Sequence, residues 1–357
     1  MNGKPIKLSS LEHKIVDIKI YEDLYGQCSQ SNILQSAAYG EAKSRVEGFK
    51  VERMAVIESE NPIAIYNVLL KRLPLIGKVA RINRGPLCLQ NGSPSPEDLK
   101  QLYLSIYEEW VLRKRCFLQI APNVSEDLMS GEDFKKSGFI QGDEPKWQSG
   151  WLYLQQPEDV LRKGLLQKWR NMLNKSEKMG MELHPVDKEK DMETLLQEYD
   201  RFMKYRNFQS ISSDLIMAIY RQKSDMLWTL TARKEGQYLG AIIIAKHGDS
   251  CTYLVGMTSE EGRKTNANYL LLWNGLIHCR RAGFQWFDVG GIDEINTPGI
   301  AHFKKGLGIM PYRFVGEFEN HRGLRYDLLS KLKRYYRPTQ SRKAHDADRQ
   351  KMDRQGK

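Results

Sequence analysis

The sequence predicts an α/β protein made of two consecutive units, each a mixed sheet with helices packed on it. Strands and helices alternate along the chain, and one order of elements occurs twice: a strand pair, a third strand, a long helix and a short buried strand. The composition is that of a folded chain, since 41% of the 357 residues are hydrophobic and 28% are charged. No apolar run reaches the ~18 residues that would predict a transmembrane helix.

The first unit begins with strands rich in Val, Ile and Tyr. These strands are predicted at 51–57, 64–70, 78–87 and 116–120. A helix is predicted from Pro96 to about Arg113, because its apolar residues recur at helical spacing. They are Leu99, Leu102, Tyr103, Ile106 and Trp110.

The second unit repeats this order after a further helix, predicted at 161–180 and ended by Gly180. Its strands are predicted at 226–232, 238–246, 251–257 and 284–291, and its long helix at 267–281. The segments 99–122 and 268–291 match in hydrophobic pattern, although hardly in identity. We therefore place the first domain at 1–156 and the second at 157–319, with a basic C-terminal segment at 320–357 that starts as a helix and then becomes disordered.

Most of the positive charge lies in that C-terminal segment. Residues 320–357 carry 12 Lys and Arg against 4 Asp and Glu, which is +8 of the net +11. The body of the chain is nearly neutral, so its composition does not predict a nucleic-acid-binding protein. The segment itself is compatible with RNA, with the inner face of a membrane, or with a solubilising tail that has no partner.

Several common classes of site are missing from the sequence. It has no phosphate-binding G-x-x-x-x-G-K-[ST] loop, no G-x-G-x-x-G after a strand, no G-x-S-x-G elbow and no H-E-x-x-H. The seven histidines are scattered, so no metal site is predicted. The five cysteines are far apart and no signal peptide is recognisable, which predicts reduced thiols in a cytoplasmic protein.

Several segments resemble one family in its expected order. They are Q-S-A-A-Y-G-E-A-K at 35–43, R-G-P at 84–86, the basic helix from 168, the Tyr205-Arg206-Asn207-Phe208 segment, and D-V-G-G-I with F-K-K-G-L-G between 288 and 308. The family is the FemABX peptidoglycan aminoacyltransferases, and the resemblance covers about residues 30–320. It implies two tandem acetyltransferase-like (GNAT) domains. The implied reaction transfers an aminoacyl group from aminoacyl-tRNA to an amine of a cell-wall precursor, nucleotide-linked or lipid-linked.

The resemblance also implies roles for three basic residues. Lys304 occupies the family's F-K-x-G position at the reaction centre, where an ammonium would stabilise an oxyanion or hold a phosphate. Lys43 and Arg206 occupy positions that contact the diphosphate of the acceptor, a group suited to a point charge beside a guanidinium fork. Each of the three is alternatively an exposed surface charge.

The residues themselves suggest the remaining candidates. Asp288 ends a buried strand, where burial would raise its pKa toward that of a general base; the alternative is that it caps the following turn. Asp293 is the next nearest acid. Gly290 and Gly291 leave room for a ligand because they lack a Cβ. Tyr253 either lines the acceptor cleft or belongs to the core.

Two other functions remain open on the sequence. GNAT enzymes bind the pyrophosphate of acyl-CoA in a glycine-containing loop before a helix, but the corresponding segment, 263–268, has no glycine. This favours aminoacyl-tRNA as the donor over an acyl-CoA-dependent N-acyltransferase of amino sugars. A non-enzymatic binding protein on the same scaffold is the other alternative. The basic face of the helix at 161–180 is either a tRNA contact or a solvated surface.

Overall fold

The chain forms two mixed sheets whose strands follow the predicted order. The computed structural model describes residues 10–74, 77–89, 94–206 and 210–320. Its strands are β1 (Glu12–Ile15), β2 (Lys50–Glu58), β3 (Asn61–Leu73), β4 (Gly77–Asn83), β5 (Leu87–Cys88), β6 (Phe117–Ala121), β7 (Ile140–Gln141), β8 (Gln148–Tyr153), β9 (Glu182–Pro185), β10 (Leu227–Lys234), β11 (Gln237–His247), β12 (Ser250–Thr258), β13 (Trp286–Asp288), β14 (Met310–Arg313) and β15 (Phe318–Glu319).

Helices cover the faces of both sheets. They are α1 (Ile18–Tyr25), α2 (Ala37–Glu47), α3 (Pro96–Tyr107), α4 (Gly131–Lys136), α5 (Glu158–Gly164), α6 (Gln167–Glu177), α7 (Glu189–Arg206), α8 (Ser213–Gln222), α9 (Glu260–Lys264), α10 (Ala267–Arg281) and α11 (Pro298–Lys305). Helix α3 continues as a π-helical turn over Glu108–Arg113. Ser95 caps α3 with a capping box and Pro96 occupies its first turn, as the sequence predicts for this helix start.

The first sheet has the strand order β1-β2-β3-β4-β6-β15-β7, with β5 also paired to β3. The predicted apolar face of α3 packs in its core, where Tyr103, Ile106 and Trp110 are almost fully buried. A polar network lies within this core: Tyr66 receives a hydrogen bond from the indole of Trp110, and His13 bonds both Tyr66 and Ser105. These groups satisfy one another, which makes them structural.

The second sheet has the order β14-β8-β13-β12-β11-β10-β9. Strand β12 pairs antiparallel with β11 and parallel with β13. Helix α10 packs on this sheet, with Leu271, Leu272 and Leu276 fully buried. Helices α7 and α8 pack on the other face, together with α2 from the first half of the chain.

The two sheets exchange strands across the division predicted at 156/157. Strand β8 lies in the first predicted segment but pairs with β13 and β14 of the second sheet. Strand β15 comes from the end of the second segment and pairs with β6 and β7 of the first sheet. The domain boundaries therefore stay a prediction, while the sheets interlock. Residues 321–357, nearly all of the predicted basic segment, lie outside the described residues.

One predicted helix is divided in two. The segment 161–180 is interrupted at Leu165 and Leu166, which have extended backbone angles between α5 and α6. Leu165 is buried in the core, and the N–H of Leu166 donates to the carbonyl of Gly306 at 2.9 Å. Tertiary contacts at the break thus override the helical pattern. Within the described ranges, no helix is both long and apolar enough to cross a membrane.

Candidate active site

The site lies where two parallel strands of the second sheet separate. Strands β12 and β13 pair only from Ser250 opposite Trp286 to Thr252 opposite Asp288. Strand β13 then ends, while β12 continues to Thr258. Strand β12 also carries a bulge at this point, because Ile243 and Ile244 of β11 pair with Val255 and Tyr253 and skip the residue between. Ligands of α/β sheets commonly bind in such openings beyond the carboxyl ends of strands.

Asp288 is held by three hydrogen bonds from three segments. One carboxylate oxygen accepts the hydroxyl of Ser149 on β8 and the backbone N–H of Gly290 at 2.7 Å. The other accepts the hydroxyl of Tyr312 on β14 at 2.7 Å. Burial raises the pKa of Asp288, and these three bonds together with the charge of Lys304 oppose that rise. The acid therefore joins β8, β13 and β14 at the base of the opening.

Gly290 and Gly291 form the floor of the opening, and the backbone at Gly290 requires glycine. Gly290 has a φ of +70°, and a Cβ there would lie 2.6 Å from the carbonyl oxygen of Tyr253. A Cβ on Gly291 would lie 2.7 Å from the ring of Trp147, which covers this glycine. The loop is tied to β8 by backbone bonds from Val289 to Gly150 and from Ile292 to Gln148. Its path is thus fixed.

Lys304 reaches over this floor from α11. Its side chain is 8% exposed, and Nζ donates to the carbonyl of Gly291 at 2.7 Å. The same nitrogen lies 5.5 Å from the ring centroid of Tyr253. Burial lowers the pKa of Lys304 to about 8, although the charge of Asp288 acts in the opposite direction. The lysine is thus mainly charged at neutral pH, with a larger neutral fraction than an exposed lysine has.

The glycines that follow Lys304 hold α11 in place. A Cβ on Gly306 would lie 2.5 Å from the indole of Trp169, whose Nε1–H donates to the carbonyl of Phe303 at 3.0 Å. Gly308, at φ +73°, approaches the carbonyl of Gly164 closely enough that a Cβ would lie 2.4 Å from it. The break between α5 and α6 therefore packs against the F-K-K-G-L-G segment and fixes the direction of Lys304.

The structure brings five of the predicted site residues together. Lys304, Asp288, Gly290, Gly291 and Tyr253 surround the opening through the contacts described above. Tyr253 is half-buried and its ring folds over the exposed Gly256, so it lines the opening as well as packing against the core. Whether these residues act on a substrate stays a prediction.

Lys43 and Arg206 are not joined to this cluster by any contact among the described residues. The ammonium of Lys43 forms an ion pair with Glu47 and lies 5.5 Å from the ring centroid of Phe49. Arg206 is the exposed last residue of α7. Helices α2 and α7 contribute to the same apolar cluster, so the two charges belong to neighbouring elements. Asn207 and Phe208 of the quoted motif lie outside the described residues.

Asp293, the other candidate base, caps the turn that leads into α11. Its carboxylate accepts the backbone N–H groups of Ile295 and Asn296 and the side-chain amide of Asn296. Partial burial alone would raise the pKa of Asp293, but these hydrogen bonds lower it below the usual value. An exposed acid of low pKa is a poor proton acceptor.

Sequence reasoning missed Ser149, Tyr312 and Trp147. Ser149 lies on β8, Tyr312 lies on β14, and Trp147 directly precedes β8. They reach the site because β8 joins the second sheet. Tyr312 lies directly opposite Ser149 in the β8–β14 register. Because successive side chains of a strand point to opposite faces, the sequence could have indicated which side chains of β8 and β14 share a face. It could not have indicated that the two strands pair with each other.

The segment that would hold a CoA pyrophosphate is filled by a helical turn. Between β12 and α10 the chain forms α9, capped by Ser259, and Arg263 and Lys264 form ion pairs with Glu260 and Glu261. A Cβ on Gly262 would lie 1.9 Å from the carbonyl oxygen of Leu239, so this glycine serves packing.

Comparisons with known proteins agree with this architecture. Residues 163–305 match the family model described as an acetyltransferase (GNAT) domain, which confirms the prediction of an acyltransferase-type domain in the second half. No protein of curated description matches the chain.

Three solved structures are similar over most of their length. A crystal structure of FemX has a TM-score of 0.74 at 16% identity and covers 90% of this chain and 100% of its own. A tandem GNAT protein from the clavulanic acid biosynthesis pathway has a TM-score of 0.52 at 15% identity, over 88% and 100% of the two chains. L-PGS from Bacillus licheniformis has a TM-score of 0.52 at 11% identity, over 91% and 97%. These likenesses confirm the FemABX-like, tandem GNAT-like fold.

Proposed function

We propose that this protein is an aminoacyltransferase that moves an aminoacyl group from aminoacyl-tRNA to an amine of a peptidoglycan precursor stem peptide. The observation that carries the proposal is the buried Lys304, whose ammonium lies over the glycine floor where β12 and β13 separate. The FemX-like fold and the sequence motifs of the FemABX family support the choice of substrates. A cytoplasmic location follows from the proposed donor.

The reaction forms one amide bond and breaks one ester bond. The acceptor amine attacks the ester carbonyl of the aminoacyl group, and the carbonyl oxygen becomes negatively charged in the tetrahedral transition state. The C–O bond to the tRNA ribose then breaks, and the proton lost by the amine ends on the ribose hydroxyl. The site must therefore stabilise an oxyanion and provide a path for one proton.

Lys304 suits the first of these tasks. Within the described residues, Nζ donates only to the carbonyl of Gly291. Two of its three N–H groups therefore remain available to donate to a substrate. A charged donor in a site of low polarity stabilises a developing oxyanion more strongly than it would in water. A pKa of about 8 keeps the lysine mainly charged at neutral pH and makes proton exchange with the amine feasible.

Asp288 suits a positioning task better than that of a general base. Three hydrogen bonds already occupy its oxygens, and they connect β8, β14 and the glycine floor. By accepting the Gly290 N–H, the carboxylate fixes the loop that contains the Gly291 carbonyl, to which Lys304 donates. We assign it the role of holding Gly290, Gly291 and Lys304 in register.

An acyl-CoA-dependent N-acyltransferase acting on an amino sugar is the second candidate. It is favoured by the GNAT family match at residues 163–305. The helical turn of α9 disfavours it, because its cations are paired and its glycine is packed rather than open to a pyrophosphate. The donor therefore distinguishes the two candidates.

The test is incubation of the full chain with mixed charged tRNAs and either nucleotide-linked or lipid-linked precursors, followed by mass spectrometry of the precursor. We expect a mass gain of one aminoacyl residue that disappears when the tRNA is uncharged. A parallel incubation supplies acetyl-CoA with amino-sugar acceptors. Acetylation there, without aminoacyl transfer, would overturn the proposal in favour of the second candidate. No transfer in either arm would favour the binding protein.

A further inference from the structure

Arg84 is a buried cation without a hydrogen-bond partner among the described residues. Its side chain is 8% exposed, and its Nη1 atom is fully enclosed and unpartnered. No oxygen of the described residues accepts a hydrogen from any of its five N–H donors. Buried polar groups are nearly always paired, and an unpaired buried charge is costly, so this guanidinium requires an explanation.

The backbone holds Arg84 in a strained conformation. The residue follows β4 with a φ of +51°, which is unfavourable for any residue with a Cβ. Gln35 fixes the loop: its Nε2 donates to the carbonyl of Asn83 at 2.6 Å, and a Cβ on Gly85 would lie 2.8 Å from its side chain. The Q-S and R-G-P motifs thus contact each other, and their contact fixes the direction of the Arg84 side chain. Strain of this kind is concentrated at functional sites.

The guanidinium lies between aromatic rings that belong to the active site. Its central carbon is 4.6 Å from the ring centroid of Phe314 and 5.8 Å from that of Trp147. Trp147 is the ring that covers Gly291, and Phe314 follows the strand of Tyr312, the hydrogen-bond donor to Asp288. Arg84, from the first half of the chain, therefore borders the site of the second half.

We propose that Arg84 binds a carboxylate of the acceptor substrate at the junction of the two halves. The inference rests on the proposed function, since it assigns the acceptor a second point of attachment besides its amine. A planar carboxylate matches the guanidinium fork through two parallel hydrogen bonds.

Two acids and a second cation lie near Arg84. Glu317 and Asp288 act on the guanidinium from nearby, and Arg81 is the neighbouring cation. Arg81 is already engaged, because its Nε donates to Asn83 at 2.7 Å and a terminal nitrogen lies 3.9 Å from Glu317. The two acids would repel a dianionic phosphate about twice as strongly as a carboxylate, but Arg84 would also attract it about twice as strongly. The choice of a carboxylate therefore rests on the match between its plane and the guanidinium fork.

The test measures binding without any donor. The probes are the tripeptide Lys-D-Ala-D-Ala, which carries free amines and a C-terminal carboxylate, the same tripeptide as its C-terminal amide, and inorganic phosphate. Their affinities for the full chain are measured by isothermal titration calorimetry. We expect the acid form to bind about ten- to a hundred-fold more tightly than the amide, the usual effect of a charge-assisted contact.

Three variants locate that preference. Arg84→Gln should bind acid and amide equally, while Arg84→Lys should keep a reduced preference because it retains the charge and loses the fork. Arg81→Gln is the matched control and should behave as wild type. Circular dichroism checks folding, and if Arg84→Gln does not fold, the lysine variant carries the comparison.

Several results would overturn the proposal. They are no preference for the acid form in wild type, an undiminished preference in both Arg84 variants, or Arg84-dependent binding of phosphate with no binding of the acid. None of these measurements uses the transfer reaction. Arg84-dependent binding without any aminoacyl transfer would therefore count against the proposed function alone.

Discussion

The parallel strand pairs of the two sheets begin alike and end differently. In the first sheet, β4 and β6 pair over five positions, from Val79 opposite Phe117 to Asn83 opposite Ala121. In the second sheet, β12 and β13 pair over three, and the opening begins after Asp288. The first pair is closed along its whole length, whereas the second opens into the candidate active site.

One side chain accounts for much of this difference. In the aligned order of the two halves, the counterpart of Asp288 is Gln119, which pairs with Arg81 much as Asp288 pairs with Thr252. The carboxylate of Asp288 captures the N–H of Gly290, two residues on, and so withdraws it from the strand ladder. Gln119 instead reaches Glu319 of β15, and β6 continues to Ala121.

The residues after Asp288 and after Gln119 also differ between the halves. In the second half Gly290 and Gly291 allow Tyr253, Lys304 and Trp147 to approach closely, while their counterparts in the first half are Ala121 and Pro122. His13, Tyr66 and Trp110 of the first half hydrogen-bond to one another. We infer that one unit carries the chemistry and that the other supports it, through Gln35 and the loop that presents Arg84.

The largest effect is expected from removing the ammonium over the floor. Lys304→Met should lower kcat about a hundred-fold or more, because it deletes a charged donor to the oxyanion. Lys305→Met is the matched control: the adjacent side chain points elsewhere on α11 and pairs with Glu294, so its effect should be small. Steady-state kinetics at saturating donor and acceptor measure both. Wild-type turnover in Lys304→Met would remove the chemistry from this loop.

A smaller effect on stability is expected from the residue that separates the strands. Asp288→Ala leaves the Tyr312 hydroxyl and the Gly290 N–H without their acceptor, while the Ser149 hydroxyl keeps the carbonyl of Gly290 at 2.7 Å. The variant should lower the free energy of unfolding by about 2–3 kcal/mol.

Its counterpart, Gln119→Ala, should lower it by about 1 kcal/mol or less, because the amide makes one weak contact at 3.5 Å. Urea denaturation of the two variants compares them directly. Equal losses would show that Asp288 has no special role in its sheet.

The sequence allowed the elements of the fold to be predicted because hydrophobic spacing reports them locally. The eight predicted strands and the helix α10 lie within a few residues of their predicted bounds, whereas β1, β7, β8, β9, β14 and β15 were not predicted. The break at Leu165 was not predictable, since the apolar pattern continues through it and Gly306 is more than a hundred residues away.

The same distinction applies to the site. Lys304, Asp288 and the two glycines lie in one short segment with a recognisable motif, so they could be named together. Ser149, Tyr312 and Trp147 reach them through the pairing of β8 with β13 and β14, a long-range choice that no local pattern encodes. The unpaired state of Arg84 is likewise a property of the folded chain.

The last expected effect is a pH-dependent contribution of Lys304 to the stability of the protein. Burial lowers the pKa of Lys304 from 10.5 to about 8, so the unfolded chain binds more protons than the folded chain between these values. Through this group, stability therefore rises as pH increases from 8 to 10.5. Below pH 8 the charged lysine destabilises the fold by about 3 kcal/mol, before the hydrogen bond to Gly291 is considered. His13 of the first half titrates elsewhere, since its pKa is lowered to about 4 by burial and its window lies between pH 4 and 6.5.

Lys304→Met should accordingly be more stable than wild type at pH 7, by about 1–2 kcal/mol after the loss of the Gly291 bond is subtracted. The advantage should shrink by pH 9.5, where the wild-type lysine is mostly neutral in the fold. Urea denaturation of both proteins at the two pH values measures the difference, and groups common to both, His13 included, cancel. Two results would contradict this prediction: a Met variant that is less stable than wild type at pH 7, or a stability difference that is the same at both pH values. Either would show that burying the charged lysine does not lower the stability of the fold. In that case Lys304 would be an ordinary buried contact, and the open strand pair would differ from the closed one in shape alone.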